Sequence, residues 1–295
     1  MAAIAQTSIV EPLPARTAGY WSGVGRRLRR DPVAIGAALV ILALILMAIF
    51  AEYVAPADPF RTSTIRRLRP IGTPGFPLGS DELGRDMLTR LIYGARLSLF
   101  MGITPVIVAF FIGSAIGILA GYVGGWVNTS IMRTIDVFYA FPSVLLAVAL
   151  SGALGAGLGN ALVSLTIVFV PQIARVAEAV TTQVRTRDFV EAARASGAGG
   201  FTIVRVHVLG NVLSPIFVYA TSLISVSMIL ASGLSFLGLG VRPPEPEWGL
   251  MLNTLRTAIY VQPWLAALPG VMIFITSIAF NLLADGLRSA MEVKQ

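Results

Sequence analysis

The residue types that carry out most enzyme chemistry are nearly missing from this chain. Its 295 residues include no Cys and one His, His207, and the only Lys is Lys294. Without Cys there is no disulfide, no thiolate nucleophile and no Cys-ligated metal. One His is too few for a typical zinc site, and the only Lys does not lie in a phosphate-binding G-x-x-x-x-G-K-[ST] loop. We therefore predict no catalytic residue, no metal site, no cofactor and no ATP hydrolysis by that route.

Residues 180–211 contain the pattern that most strongly indicates a functional segment. Asp188 is followed three residues later by Glu191, which is the spacing of a capping box at the start of a helix. Gly197 can end the same helix in a left-handed conformation. We predict a helix of about two turns over 189–196, standing between two long apolar segments. Such a helix is usually a plain connection, but a thin, capped one can be the handle for a partner protein.

A second group of residues could line a transport path or form its gate. These candidates are Asp136, Phe138, Phe141 and Pro142. An ionisable residue at membrane depth is by default a functional candidate. However, the pattern places Asp136 only about one helical turn inside the membrane boundary, where a structural pairing with Arg133 or Arg175 is the alternative. Aromatic residues beside a proline kink also more often serve packing.

The composition indicates which elements must hold these residues. Hydrophobic residues make up 56% of the chain and charged residues 13%, about half the charged fraction of a soluble domain. Because roughly 20 helical residues cross a bilayer, we predict an all-α membrane protein with six transmembrane helices in one domain, 33–290. The predicted spans are about 33–55, 97–121, 131–154, 161–179, 212–236 and 264–283, with 180–211 as a loop between the fourth and fifth.

Two further patterns concern the second span and the segment that precedes it. Gly113, Gly117, Gly121 and Gly125 are each four residues apart, a spacing that lets helix backbones approach closely in lipid. Before the second span, Asp81 and Arg85 are also four apart, acid first, as are Asp86 and Arg90. That order favours a helix, so we predict a short amphipathic helix that begins at Ser80.

Charge near the first span predicts the orientation of the chain. Arg26, Arg27, Arg29 and Arg30 directly precede it, and basic residues favour the cytoplasmic side of a membrane. With six spans, both tails, 1–32 and 291–295, are then cytoplasmic, and residues near 20–30 form an interfacial helix. The formal charge of +7 is thereby explained by membrane orientation, and we predict no nucleic-acid binding. A cleaved signal peptide is disfavoured because the apolar run from Val33 is too long.

Several stretches together resemble one protein family. They are Leu78-Gly-Ser-Asp-Glu-Leu-Gly-Arg-Asp86 with Tyr93-Gly-Ala-Arg-Leu97, Asp136-Val-Phe-Tyr-Ala-Phe-Pro142, Glu191-Ala-Ala193 with Gly197 and His207-Val-Leu209, Leu234-Ser-Phe-Leu-Gly-Leu-Gly-Val241 with Pro243-Pro244 and Trp248-Gly249, and Phe280-Asn-Leu-Leu-Ala-Asp-Gly-Leu-Arg288. In this order they resemble the bacterial ABC-importer permeases of the dipeptide/oligopeptide/nickel family, in particular its second, C-type subunit. The chain departs from that pattern at Gly210, where the family usually has Pro. Gly would leave the entry to the fifth span more pliable.

The resemblance implies a fold, partners and roles for particular residues. It implies a type I ABC-importer permease in the bacterial inner membrane, paired as a heterodimer with a second homologous permease. Two cytoplasmic ATPases and an extracytoplasmic substrate-binding protein would complete the importer. The residues that it assigns to ATPase coupling are Asp188, Glu191, Ala192, Ala193, Arg194, Gly197 and His207. It implies di- or oligopeptides as substrates, with nickel complexes and oligosaccharides as open alternatives.

Two other function classes are compatible with a multi-span helical chain. A secondary transporter should show ionisable residues near the membrane midplane and discontinuous spans related by repeats, and neither is clear in the sequence. An intramembrane hydrolase would need a Ser–His or paired-Asp site. The only His lies in the predicted loop 180–211, which disfavours that function.

Overall fold

The computed structural model describes residues 20–291, which form α-helices joined by turns and two longer loops. The helices are α1 (Tyr20–Leu28), α2 (Pro32–Ile49), α3 (Ala51–Val54), α4 (Met87–Val123), α5 (Gly125–Tyr139), α6 (Ser143–Leu154), α7 (Leu158–Arg185), α8 (Asp188–Ala195), α9 (Gly200–Ile203), α10 (Leu209–Phe236), α11 (Trp248–Thr254) and α12 (Pro263–Met291). Short 3₁₀ helices cover Thr64–Arg66 and Ala258–Tyr260, and a π-helical turn, Val204–Val208, joins α9 to α10. The start of the predicted tail 1–32, up to residue 19, lies outside the described residues, as does Lys294.

Five of these helical segments are long and apolar enough to cross a membrane: α2, α4, α7, α12 and the continuous stretch Gly200–Phe236. The pair α5 and α6 passes the same test together but is bent by 86°. The described chain is therefore all-helical with five or six candidate spans, as the sequence predicts. Several helices extend beyond the predicted spans, since α4 begins at Met87 and α12 ends at Met291, and two predicted spans are interrupted. The predicted first span, 33–55, breaks after α2 at Ile49, and the predicted third span, 131–154, is two helices with an elbow between them.

Parallel helices α4 and α7 form the centre of the bundle, and glycines of α4 set how closely they pack. A methyl group added at Gly113 would lie 2.8 Å from the carbonyl oxygen of Val170, and one at Gly121 would lie 2.7 Å from that of Glu178. A methyl group added at Gly117 would lie closer still to the carbonyl oxygen of Ala174. These three glycines pack as predicted. Gly125 does not, because it begins α5 with a φ of 53° and has open space around it.

The helix bundle has two different ends. The first and the last described residues of the chain both lie at one of them. The Arg96 guanidinium donates to the carbonyl oxygens of Ala48 and Ile49, which places the end of α2 beside the start of α4. At the opposite end, Gly286 of α12 packs against Ala34, near the start of α2. The ends of α4 and α7 and the start of α10 also lie there, together with α8. We call this the α8 end, and the opposite one the loop end.

A buried ion-pair network, rather than the predicted helix, precedes α4 at the loop end. Residues 80–86 form turns, and α4 begins only at Met87. The predicted Asp81–Arg85 pair does form, with Nε 2.6 Å from Oδ2, and Arg90 approaches the same oxygen at 3.3 Å. Asp86 caps α4 instead of pairing with Arg90, because its side chain accepts the Thr89 N–H. Each of these arginine and aspartate side chains is almost fully buried, so the network ties the loop to the bundle.

Candidate functional site

The segment between α7 and α10 projects α8 from the end of the bundle. Val190 is the anchor of α8, since its side chain is fully buried in the main core cluster. Asp188, Glu191, Ala192 and Arg194 are all exposed. Helix α8 is therefore held by one apolar side chain, and most of its surface is available to another molecule.

The start of α8 differs from the predicted capping box. The N-cap residue is Arg187, whose extended backbone accepts the N–H groups of Val190 and Glu191 through its carbonyl oxygen. Asp188 is thus already inside the first turn, where its side chain is too far along the helix to cap it. The predicted capping role of Asp188 is wrong. Asp188 and Glu191 instead place negative charge near the positive end of the helix dipole.

The end of α8 has the predicted left-handed residue. Gly197 has a φ of 81°, and its N–H donates to the Arg194 carbonyl at 3.0 Å. The next N–H, of Ala198, reaches back to the Ala193 carbonyl at 3.1 Å. This pair of bonds is a Schellman motif. Ala193 and Ala198 both pack against the core, so the end of the helix is fixed as well as its middle.

Large apolar side chains are exposed along the segment that contains α8 and the turn after it. Phe201 is 80% exposed and Val206 62%, and the half-exposed Phe189 ring has its centre 6.4 Å from that of His207. Large apolar side chains clustered on an exposed surface are typical of an interaction site. His207 thus lies against α8, and the π-helical turn that contains it continues without a break into α10. Gly210, in the first turn of α10, has open space around it.

The other candidate site lies at the elbow between α5 and α6. Pro142 is the N-cap of α6 and accepts the Leu146 N–H through its carbonyl oxygen at 3.0 Å. Phe141, immediately before it, is 57% exposed, and Phe138 is 37% exposed. A cavity of about 30 Å³ separates the elbow from α7 near Pro171 and Gln172. The predicted candidates Phe138, Phe141 and Pro142 are thus neighbours in space, on a face that the rest of the described chain leaves uncovered.

Asp136 pairs with Arg175, as the structural alternative predicts. The carboxylate of α5 contacts the guanidinium of α7, and both side chains are nearly half exposed. The Arg175 guanidinium also lies 4.9 Å from the centre of the Tyr139 ring, and Tyr219 of α10 lies near Tyr139. Three helices therefore contribute to one polar cluster of Asp136, Tyr139, Arg175 and Tyr219.

This cluster lies along the helices, well away from the α8 end. Asp136 is eleven residues after Gly125, the start of α5, so it lies about 16 Å along the helix from the α8 end. Arg175 is ten residues before the end of α7 and Tyr219 ten residues after the start of α10, which is about 15 Å for each. Helix α5 begins six residues before the predicted third span, so Asp136 lies about three helical turns into this helix. Because α7 and α10 each have 28 residues, about 42 Å of helix, the cluster lies about a third of the way along them from the α8 end.

Some members of the cluster carry no signal in the sequence. Tyr139 and Tyr219 are ordinary aromatic residues in apolar segments, and only their meeting in space makes them part of a polar site. For Arg175 the sequence does give an indication, because an arginine within an apolar span is expected to have a partner of opposite charge. Among the described residues, no group of three or more His, Cys, Asp or Glu side chains could hold a metal ion.

The long apolar helices, the broken span and the projecting α8 define a helical protein with several candidate membrane spans. A family model described as "Binding-protein-dependent transport system inner membrane component" matches residues 113–294. A second, described as "N-terminal TM domain of oligopeptide transport permease C", matches residues 19–70. The chain belongs to the family of inner-membrane permeases of binding-protein-dependent ABC transporters, and within it to the oligopeptide permease C type.

Relatives and solved structures agree with that assignment. The chain is 42% identical to the glutathione transport system permease protein GsiD of Pectobacterium atrosepticum, over 93% of this chain and 91% of the relative. It is 41% identical to GsiD of Escherichia coli O157:H7, over 97% and 94%. An inward-facing structure of the MetNI methionine ABC transporter superposes with a TM-score of 0.56 at 22% identity, over 69% of this chain and 97% of that one. It shows the ABC transporter permease fold.

Membership in the family shows in which membrane the chain lies and to which kind of complex it belongs. It is a multi-pass protein of the bacterial inner membrane and a non-catalytic component of an ABC importer of the peptide family. A binding-protein-dependent transporter of this type works with an ATPase and a substrate-binding protein.

Proposed function

We propose that this chain forms half of the translocation path of an importer for di- and oligopeptides. Its partner in the membrane is a second, homologous permease, and two ATPases bind the α8 ends of the heterodimer. The α8 end faces the cytoplasm, with both termini, and the substrate-binding protein docks at the loop end. Peptides of the size of glutathione belong to the proposed substrate class, because relatives about 41% identical are named as glutathione permeases.

The observation that carries the proposal is the way α8 is built. A helix that transmits force must be fixed to the spans on one side and open to a partner on the other. Val190 and the Schellman motif fix α8 to the bundle, whereas Glu191, Ala192 and Arg194 are exposed on the same helix as the half-exposed Phe189. The π-helical turn with His207 then runs directly into α10, so displacement of α8 would be passed to a membrane span. We therefore assign ATPase coupling to the segment 187–207.

The elbow supports the assignment of a path. Irregular backbone is tolerated at membrane depth only where it is buried in protein or lines a water-filled cavity. Residues 140–142 interrupt the helix between α5 and α6, and all three are exposed. We propose that this surface faces the second permease across the translocation path, with Phe138 and Phe141 near the gate.

The coupling role can be tested with two proline substitutions that differ in backbone compatibility. Proline requires a φ near −65°. Gly197→Pro conflicts with the φ of 81° at this position and removes the N–H that donates to Arg194, whereas Gly199 already has a φ of −66°. In reconstituted importer, Gly197→Pro should reduce binding-protein-stimulated ATPase activity and peptide uptake to about a tenth, and Gly199→Pro should keep both.

Neither substitution touches a membrane span, so the amount of assembled complex should not change. If Gly197→Pro retains full uptake and full ATPase stimulation, α8 is a connecting loop and the proposed coupling role is wrong.

A further inference from the structure

The Asp136–Arg175 pair is in an unusual place for two charges. It lies about 15 Å from the α8 end, within helices long and apolar enough to cross a membrane, and both side chains are nearly half exposed. Charged side chains in a membrane face the bundle interior or a water-filled cavity, because facing lipid tails is costly. The uncovered side of this pair therefore does not face lipid.

The backbone next to the pair leads independently to the same surface. Tyr139 ends α5, and residues 140–142 follow without helical structure and are exposed. Exposed irregular backbone at this depth also excludes contact with lipid tails. The ion pair and the elbow thus belong to one surface that faces a polar space. On the proposed function, that space is the translocation path.

A half-exposed ion pair has a chemical property that a single charge lacks. Each charge already has a partner, so the empty path contains no unpaired ion. A ligand that carries both an ammonium and a carboxylate can exchange partners with the pair, since its ammonium can bind Asp136 and its carboxylate Arg175. A ligand with only one charge can replace only one of the two partners and leaves the other side chain to be solvated alone, so it gains less. Such a site favours zwitterions.

We propose that Asp136 and Arg175 form a substrate-contacting site in the path that selects zwitterionic peptides by ion-pair exchange. Tyr139 supports this site, because its ring lies against the Arg175 guanidinium and holds it in place when the carboxylate partner changes. The inference rests on the proposed function and adds to it: the permease itself contributes charge selectivity.

Binding at this site can be measured directly, because the chain has no Cys and a single introduced Cys is therefore its only thiol. Ala140, exposed at the elbow next to Tyr139, is replaced with Cys in the importer complex purified without nucleotide. The rate at which N-ethylmaleimide labels this chain is then measured against concentration for three probes. They are dialanine, N-acetyl-dialanine, which has only the carboxylate, and dialanine amide, which has only the ammonium.

Dialanine should slow labelling at a concentration about fivefold lower than either modified peptide, the factor expected for one half-exposed ion pair. Removing one charge should change the preferred ligand in a reciprocal way. With Asp136→Asn, N-acetyl-dialanine should become the best protecting peptide. With Arg175→Gln, dialanine amide should become the best protecting peptide. A purely structural ion pair would not produce opposite changes in ligand preference.

Two controls keep the result interpretable. Arg133→Gln removes a charge from the exposed surface of the same helix, one turn before Asp136, and should keep the preference for dialanine. The exchanged pair Asp136→Arg with Arg175→Asp retains both charges, so it should assemble and also prefer dialanine. It therefore tests the proposal even if a single substitution prevents assembly.

The failure of this inference and that of the proposed function are distinguishable. Equal protection by the three peptides in every variant, or no protection at all, overturns the zwitterion site. If the wild-type importer nevertheless takes up dialanine in an ATP-dependent manner, the proposed function stands without it. If the wild-type importer takes up no peptide, the proposed function is wrong, and the inference falls with it.

Discussion

At the scale of single residues, the loop end depends on one carboxylate. Asp81 receives Nε of Arg85 at 2.6 Å and Nε of Arg90 at 3.3 Å, and its other oxygen accepts the backbone N–H groups of Leu83 and Arg85. Removing one member of a buried ion pair leaves an uncompensated charge; here Arg90 would lose its carboxylate partner and Arg85 would keep only Glu82, at 3.2 Å. Asp81 therefore contributes more than an ordinary surface aspartate.

We expect Asp81→Asn to destabilise the protein by about 3 kcal/mol, because the amide keeps the shape but not the charge. A suitable control is Glu52→Gln, since Glu52 pairs with Arg96 but its side chain is 67% exposed, and exposed pairs contribute about 1 kcal/mol or less. Thermal unfolding in detergent should show a lower midpoint for Asp81→Asn than for Glu52→Gln. Equal midpoints would contradict the role of the network.

Glu247 makes stability at the loop end depend on pH. It is almost fully buried at the start of α11, where it caps the helix by accepting the N–H groups of Gly249 and Leu250. Burial raises the pKa of its carboxyl above the ordinary 4.5, although these hydrogen bonds and those with Ser98 and Ser235 lower it in part. The carboxyl of Glu247 thus has a higher pKa in the folded protein than in the unfolded chain. Its protonation therefore stabilises the folded state fully below the ordinary pKa of 4.5, and this stabilisation is lost as pH rises through the folded pKa.

The unfolding midpoint should therefore fall as pH rises above 4.5, and less steeply in Glu247→Gln, which cannot ionise. Some slope should remain, because burial and the neighbouring Asp81 also raise the pKa of Glu82. An identical slope in Glu247→Gln would show that this carboxyl does not titrate as proposed.

Residue patterns predicted some of these contacts and missed others for a physical reason. The four-residue spacing of Asp81 and Arg85 predicts their contact, which forms even though the backbone there is not helical. The same reasoning failed at Asp188, since the extended conformation of Arg187 starts α8 one residue earlier than expected. Spacing indicates which side chains can meet, but a shift of one residue in a helix start changes what a capping residue can reach.

At the scale of elements, α4 and α7 depend on a smooth glycine surface. Gly117 packs directly against Ala174, Ala177 and the backbone of Glu178, and a methyl group there has no room. We expect Gly117→Ala to cost about 1–3 kcal/mol through overpacking, although alanine favours a helix over glycine.

Gly233 of α10 is the matched control, because nothing lies within 4 Å of a methyl group added there. Gly233→Ala should be neutral or stabilising by up to about 1 kcal/mol. Thermal unfolding of the two purified variants compares them directly. A Gly117→Ala midpoint at or above that of Gly233→Ala would show that α4 and α7 do not require this close approach.

Prolines show why the elbow could not be derived from the sequence. Pro105, Pro171, Pro215 and Pro269 all lie inside helices that continue past them. Only at Pro142 does the chain turn by 86°. Proline removes one hydrogen bond and disfavours a helical conformation before it, but neighbouring helices decide whether a kink or a break results. The sequence therefore predicts an interruption in the predicted third span and not its angle.

At the scale of the whole molecule, the number of spans is readable from composition, whereas the sites are not. Asp136, Arg175 and Tyr219 belong to three helices, and only the packing of α5, α7 and α10 brings them together. The surface proposed to meet the second permease is likewise visible only in the folded bundle. It is the surface on which the Asp136–Arg175 pair and the irregular backbone of residues 140–142 are left exposed.

The arrangement of the ends gives a prediction for the whole chain. Arg29, after α1, and Arg194, on α8, are exposed at the α8 end, whereas Ile65 is 84% exposed at the loop end. A single Cys at each position gives three variants of a chain without native thiols. If the α8 end is cytoplasmic, an impermeant thiol reagent added to intact cells should label only Ile65→Cys. In inverted vesicles, it should label Arg29→Cys and Arg194→Cys.

The two possible contradictions have different meanings. Labelling of Arg194→Cys and Arg29→Cys from outside intact cells would leave the fold intact but reverse the proposed orientation, so that α8 could not meet a cytoplasmic ATPase. Labelling of these two positions from opposite sides would contradict the fold itself, because Gly286 of α12 packs against Ala34 of α2 at the same end of the bundle as α8. Basic residues favour the cytoplasmic side, and the Arg26, Arg27, Arg29 and Arg30 cluster lies next to α2 at the α8 end. We therefore expect labelling of both positions only from the cytoplasmic side.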